Sequence, residues 1–308
     1  MNEWLWILIA AGAALAATLY TFLDNYSIDV FFKGRTPQAQ NMFIGPAYIL
    51  AGIILMFVLP IHTVTPLNAA GIIGSGILAS IACVFYYKAL GAEDSTRVTL
   101  LQQLSPIFYL IFGIILLGEE MSQGKMLGLV VILMVPIVIF MRSKKNSQKT
   151  QMRTFTLISV KNVISALANV LIVMFGVGGD PFAVVAFAVL GKGIGDTGMM
   201  LLNKKWRERW KTVYKKNGSR LLGVLSIDCL VWLANDFVYY AAITMAPTVA
   251  IGSAVVKGLQ PAFVFIMGVV LTLIWPNFGR EKIDRRTIST NLIVTIIAVV
   301  GIVLMQLL

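Results

Sequence analysis

The sequence predicts an all-α polytopic membrane protein with ten transmembrane helices, arranged as two inverted five-helix repeats. Three observations carry this. The 308 residues are 58% hydrophobic and 13% charged, with a mean hydropathy of +0.85. A soluble domain is about 25% charged. Apolar runs near 20 residues, the length needed to cross a bilayer, recur from end to end. The two halves also carry matching segments at matching places, described below.

The runs place helices at 4–23, 40–59, 66–88, 97–118, 123–141, 154–176, 181–202, 221–243, 248–275 and 287–308. The first is long enough to span and is preceded by Glu3, not by a basic n-region, so it reads as a retained helix and not a signal peptide. Pro60 and Pro66 separate the second and third helices, and Gly118-Glu119-Glu120 ends the fourth. Gly178-Gly179-Asp180-Pro181 is a tight turn between the sixth and seventh. The longest polar stretches are 142–153 and 203–220. The first divides the chain into repeats at 1–145 and 146–308. What remains for loops leaves no room for a soluble domain.

Charge gives the topology. Loops after odd-numbered helices hold nineteen basic residues: Lys33 and Arg35, five between 142 and 153, eight between 204 and 220, and four between 280 and 286. The opposite side holds Lys125 alone. The positive-inside rule then places the odd-helix loops in the cytoplasm and both termini outside a plasma or bacterial inner membrane. This accounts for the net charge of +11 without nucleic acid as a partner. Trp206 and Trp210 lie among the basic residues of 204–220. They read as an interfacial helix end, with an anionic-lipid or partner site as the sharper alternative.

The repeat is visible where the third and fourth helices of each half meet. Phe85-Tyr86-Tyr87-Lys88-Ala89-Leu90 matches Val238-Tyr239-Tyr240-Ala241-Ala242-Ile243. Leu101-Gln102-Gln103-Leu104-Ser105-Pro106 matches Val256-Lys257-Gly258-Leu259-Gln260-Pro261. An odd number of helices per half inverts one copy relative to the other, a frequent architecture of secondary transporters. Tyr87-Lys88-Ala89-Leu90, Leu104-Ser105-Pro106 and Leu116-Leu117-Gly118-Glu119-Glu120 together resemble the EamA-type domain of the drug/metabolite transporter superfamily. The resemblance extends over nearly the whole chain as two tandem domains. It implies a ten-helix carrier with a central substrate cavity and says almost nothing about substrate. The second half departs from it, reading Leu273-Ile274-Trp275-Pro276 where a Leu-Gly-Glu ending is expected. Ten-helix relatives also usually keep both termini in the cytoplasm, opposite to the charge count.

A charge at membrane depth costs about 2.5–3.5 kcal/mol on insertion scales, so each one needs a partner or a purpose. Six qualify: Lys161, Lys192, Asp196, Asp228, Asp236 and Lys257, all in the second half. Asp228, Trp232, Asp236 and Tyr240 recur every four residues on helix eight, with Asn235 and Tyr239 beside them. Such a stripe belongs against a cavity, where a carboxylate near aromatic faces can receive an amine or a proton. The plainer alternative is that one Asp neutralises Lys257. Lys192 and Asp196, spaced i, i+4, read as an ion pair, or Lys192 as a receptor for a substrate carboxylate. Lys257 and Gln260 precede Pro261 as Gln102 and Ser105 precede Pro106, where a proline frees a backbone carbonyl. With Tyr86, these residues form the expected substrate site. Lys161 is expected to snorkel to the cytoplasmic face.

Enzyme chemistry has little support. His62 is the single histidine, no Cys/His metal spacing exists, and Cys83 and Cys229 lie inside apolar runs. No cofactor or metal is expected. The reading is a secondary active carrier working by alternating access on a small polar or charged metabolite, amino-acid-like or an organic amine, with proton coupling as an option. The alternative is a lipid- or polyprenyl-linked carrier subunit or a membrane scaffold.

Overall fold

Helix boundaries follow local chemistry. The computed structural model describes residues 5–32, 36–92, 98–99, 101–120, 122–124, 126–128, 130–131, 134, 148–274, 289, 292–293, 296–297, 300–301 and 304. All regular structure among them is helical. Helix α1 spans Leu5–Ser27 and continues as a π turn, Ile28–Phe32. A 3₁₀ turn, Pro37–Gln40, leads into α2, Asn41–Val58. Helix α3, Pro66–Leu90, starts on Thr65, whose hydroxyl accepts from Asn68 N–H, with Pro66 in the first turn. A 3₁₀ turn, Gln102–Leu104, opens α4, Ser105–Phe112, which ends in a π turn, Gly113–Leu117. Then come α5, Gln148–Gly176; α6, Pro181–Leu202; α7, Lys204–Met245; and α8, Val249–Ile274. Asp180 caps α6 by accepting from Phe182 and Ala183 N–H, and Gly178 supplies the positive φ of 80° that the preceding turn needs.

Seven of these helices are long and apolar enough to cross a membrane. The chain is an integral, multi-pass membrane protein. The expected helices at 123–141 and 287–308 lie largely outside the described residues, as do the repeat boundary at 145 and the ending at 275–276.

Three boundaries differ from the sequence reading. Helix one does not stop at 23: Asp24 is inside it, because partners on other elements satisfy the carboxylate. Helix six begins at Gln148. The stretch 204–220 is not a loop. It forms the first part of the 42-residue α7, capped by Asn203 and kinked at Gly218 (φ 43°, ψ −121°). Its polar residues are helix formers with an apolar stripe. Trp206, Trp210 and Val213 pack on Phe31, Phe32 and Ala39, and Arg209 donates to the Phe32 carbonyl at 3.1 Å. This basic helix therefore docks on the end of α1 at Phe31 and Phe32.

The helices close a ring: α3 packs on α6, then α6 on α7, α7 on α1, α1 on α8, α8 on α4, α4 on α5, and α5 back on α3. Helix α2 lies outside the ring against α6. Glycines set the depth of this packing. A Cβ at Gly191 would meet the Ile73 carbonyl oxygen of α3, and one at Gly193 would meet backbone of Tyr48 and Ile49 on α2. Helix α6 runs unbroken through these glycines, so they serve close approach and not a break in the helix. The outer surface is apolar, with Phe57, Leu202 and Leu273 among its most exposed side chains. The buried polar groups face inward, the arrangement expected where lipid is the outer solvent.

Candidate functional site

The ring surrounds a cavity. Every ring helix contributes to its wall: Tyr20 from α1, Cys83 and Tyr86 from α3, Tyr109 from α4, Lys161 and Asn169 from α5, Lys192 from α6, Trp232, Asp236, Tyr239 and Tyr240 from α7, and Lys257 from α8. Gln102 also lines it. Of the expected residues, Trp232, Asp236, Tyr239, Tyr240, Lys257, Tyr86, Gln102 and Lys192 therefore converge on one space. Asp228, Asp196, Gln260 and Ser105 are buried but do not line it.

The charge pairing differs from both expected arrangements. Lys192 Nζ lies 2.7 Å from Asp236 Oδ2, joining α6 to α7. Tyr48 donates to the same oxygen at 3.1 Å, and Asn235 donates to Asp236 Oδ1 at 3.3 Å. The ammonium also sits over the rings of Trp232, at 4.2 Å, and Tyr48, at 4.7 Å. Asp196 is held elsewhere, accepting from Asn41 Nδ2 at 3.0 Å. The Lys192–Asp196 pair suggested by spacing does not form; a base preceding an acid by four residues is the weaker order on a helix. Lys257 is not the counter-ion of Asp236 either.

Lys161 corrects another expectation. The earlier start of α5 sinks it thirteen residues into the helix, roughly 20 Å along its axis. Instead of snorkelling outward, it opens on the cavity and donates to Gln102 Oε1 at 2.9 Å. Lys257 stands nearby over the Tyr239 ring, at 5.9 Å. Among the described residues neither ammonium has a carboxylate within ion-pair distance. Tyr109 and Tyr239 share a hydrogen bond at 2.8 Å, and Asn169 donates to the Tyr109 hydroxyl, fixing the wall between the two lysines. The cavity thus has a neutralised acidic group on one side and two unpaired cations on the other.

Sequence reasoning missed Asp24, Tyr20, Tyr48 and Asn169. Asp24 accepts from Gln40 Nε2 at 3.0 Å and from Trp232 Nε1 at 3.2 Å, while Tyr20 stacks on Trp232 at 3.7 Å. The buried charges are consequently not confined to the second half. A carboxylate one residue past an apolar run was the available signal.

Two elements of the repeat motif have visible work. The Gln103 side-chain amide donates to the Lys257 carbonyl, joining the chain before Pro106 to the chain before Pro261. Glu119 accepts from Val249 N–H at 2.8 Å, placing a carboxylate at the start of α8. Gly113 leaves the room this side chain occupies: a Cβ there would lie 2.4 Å from Glu119 Oε2.

No curated protein matches the chain. A solved crystal structure of another protein shares the fold, with a TM-score of 0.60 over 98% of this chain and 96% of that one, at 19% identity. In sequence, residues 4–141, the stretch read as the first repeat, match the model of the EamA-like transporter family, whose members are membrane transporters.

Proposed function

We propose that the protein is a secondary active carrier for a small amino-acid-like solute, built from ten helices in two inverted repeats and working by alternating access. One observation carries the choice of solute. Among the described residues one carboxylate, Asp236, lines the cavity and Lys192 already neutralises it, whereas Lys161 and Lys257 open on the same space with no carboxylate partner among those residues. Two ammonium groups sharing a chamber of low dielectric repel one another, and a substrate carboxylate between them relieves the repulsion. Tyr239, Tyr240 and Trp232 supply apolar and cation–π surface for the remainder of the solute, including an amine.

An organic amine without a carboxylate is the second reading. It rests on the Asp236–Trp232–Tyr240 stripe, and it requires the amine to displace Lys192 from Asp236. Uptake and counterflow in proteoliposomes, with pooled labelled amino acids in one set and pooled amines in another, tests both. Exchange of an amino acid supports the first reading. Exchange of amines alone supports the second, and exchange of neither favours a scaffold or a lipid-linked carrier subunit.

A further inference from the structure

Asp228 is a fully buried carboxyl group whose two oxygens accept no hydrogen bond among the described residues. It lies on α7 one turn before Trp232, at the packed α1–α7 interface, and the Trp232 indole donates to Asp24 on α1, which sets the two carboxyls beside one another. Asp24 is also fully buried, but both of its oxygens accept N–H donors, from Gln40 and from the Trp232 indole. The buried hydroxyl of Tyr86 faces Asp24 from α3. The other titratable or charged groups packed around the pair are Tyr20 on α1, Tyr87 and Cys83 on α3, Cys229 on α7 and Lys192 on α6. Lys192, the cation among them, is committed to Asp236.

Two ionised carboxylates in contact, away from water and without a free cation, are not tenable, whereas one proton between them satisfies both. The donor arrangement says where it sits. Asp24 has two N–H donors to stabilise a negative charge; Asp228 has none. A protonated Asp228 gains the hydrogen bond it lacks by donating its O–H to Asp24. A sodium site is a poorer fit, because each Asp24 oxygen already accepts an N–H donor, which leaves fewer lone pairs for a metal ion.

We infer that Asp24 and Asp228 form a shared-proton pair that is the proton-binding site of the carrier, separate from the solute site. Asp228 takes up a proton to become the acid that donates to Asp24, and releases it from the opposite-facing conformation. Trp232 links this pair to the solute: its indole donates to Asp24 while its ring stacks on Tyr20, covers Lys192 and lines the cavity. Loss of the proton alters the charge that Trp232 hydrogen-bonds, and so alters the cavity wall. The coupling role of the pair rests on the carrier reading above.

Infrared spectroscopy of the purified protein in detergent tests the pair without any solute. Wild type should show the C=O band of a protonated, buried carboxyl at neutral pH. Asp228→Asn should lose one such carboxyl per molecule, and Asp236→Asn should not. Absence of the band in wild type, or its persistence in Asp228→Asn, overturns the assignment; the wild-type spectrum decides even if the variant fails to fold. In proteoliposomes loaded with pooled labelled amino acids, an imposed pH gradient should drive accumulation by wild type. Asp228→Asn should keep counterflow while its accumulation ratio falls to one. Accumulation driven by a sodium gradient in place of a pH gradient, or pH-driven accumulation by Asp228→Asn, overturns the coupling role. If no amino acid exchanges but the infrared result holds, the solute reading fails and the proton pair stands.

Discussion

Lys192 on α6 and Asp236 on α7 close a 2.7 Å ion pair inside a membrane bundle, with the Tyr48 hydroxyl on the same carboxylate oxygen. Both side chains are under one-tenth exposed, so each charge depends on the other. Breaking such a buried pair from one side costs about 3–5 kcal/mol, because a desolvated charge is left alone. Asp236→Leu and Lys192→Met should each lower the thermal unfolding midpoint in detergent by several degrees. The double variant, Lys192→Met with Asp236→Leu, should recover most of that loss. Equal losses in the double variant and the sum of the singles would show that the two residues do not act as a unit.

The two lysines on the opposite wall should behave in the other way. Lys161→Gln and Lys257→Gln each remove a cation that has no carboxylate partner among the described residues, so stability in detergent should hold or rise. If they receive a substrate carboxylate, each should raise the transport KM by about tenfold or more, since a charge-assisted hydrogen bond is worth about 1.5–3 kcal/mol. Parallel measurement of the unfolding midpoint and of KM separates a binding role from a packing role.

Helix α6 owes its position to glycine. A Cβ at Gly193 would lie 2.5 Å from Ile49 N and 2.9 Å from the Tyr48 carbonyl carbon, so Gly193→Ala must push α2 outward and with it the Tyr48 hydroxyl. Overpacking of this kind costs about 1–3 kcal/mol. Gly198→Ala on the same helix meets nothing within 4 Å and should be neutral or stabilising. Thermal unfolding of both variants checks the contrast.

Glu119→Ala should cost about 0.5–2 kcal/mol through loss of the acceptor at the start of α8, and Glu119→Gln should recover part of it. The same unfolding assay reads it. A larger effect on transport than on stability would place this contact in the conformational cycle.

Topology follows from the basic helix. Thr212 lies exposed among the basic residues of α7, and His62 lies exposed in the short turn between α2 and α3. With the charge bias as guide, Thr212→Cys should be cytoplasmic and His62→Cys external. An impermeant thiol reagent added to intact cells should label the second and not the first; the reverse pattern would invert the protein in the membrane.

Much of this was legible in the sequence, and the misses have physical causes. Apolar runs located Pro181–Leu202 and Val249–Ile274 to within a residue, because nothing competes with hydropathy in a spanning helix. The stripe on α7 identified Trp232, Asp236, Tyr239 and Tyr240 as cavity residues through their helical spacing. Pairing across helices was not legible. Spacing along one helix proposed Lys192–Asp196, while the partner chosen by the fold is 44 residues away. Asp24 falls one residue past the helix predicted over 4–23, and the groups that make it acceptable inside the bundle, Gln40 and Trp232, come from distant segments. The basic stretch 204–220 looked like a loop because its mean hydropathy is low, although Trp206, Trp210 and Val213 give it an apolar face.

The most direct test of the central claim is counterflow in proteoliposomes with an amino acid found in the pooled screen and the amine that remains when its carboxylate is removed. Wild type should exchange the amino acid and discriminate against the amine by tenfold or more. Lys161→Gln with Lys257→Gln should lose that discrimination. Equal exchange of the two compounds by wild type, or undiminished preference in the double variant, would contradict a carboxylate site between Lys161 and Lys257.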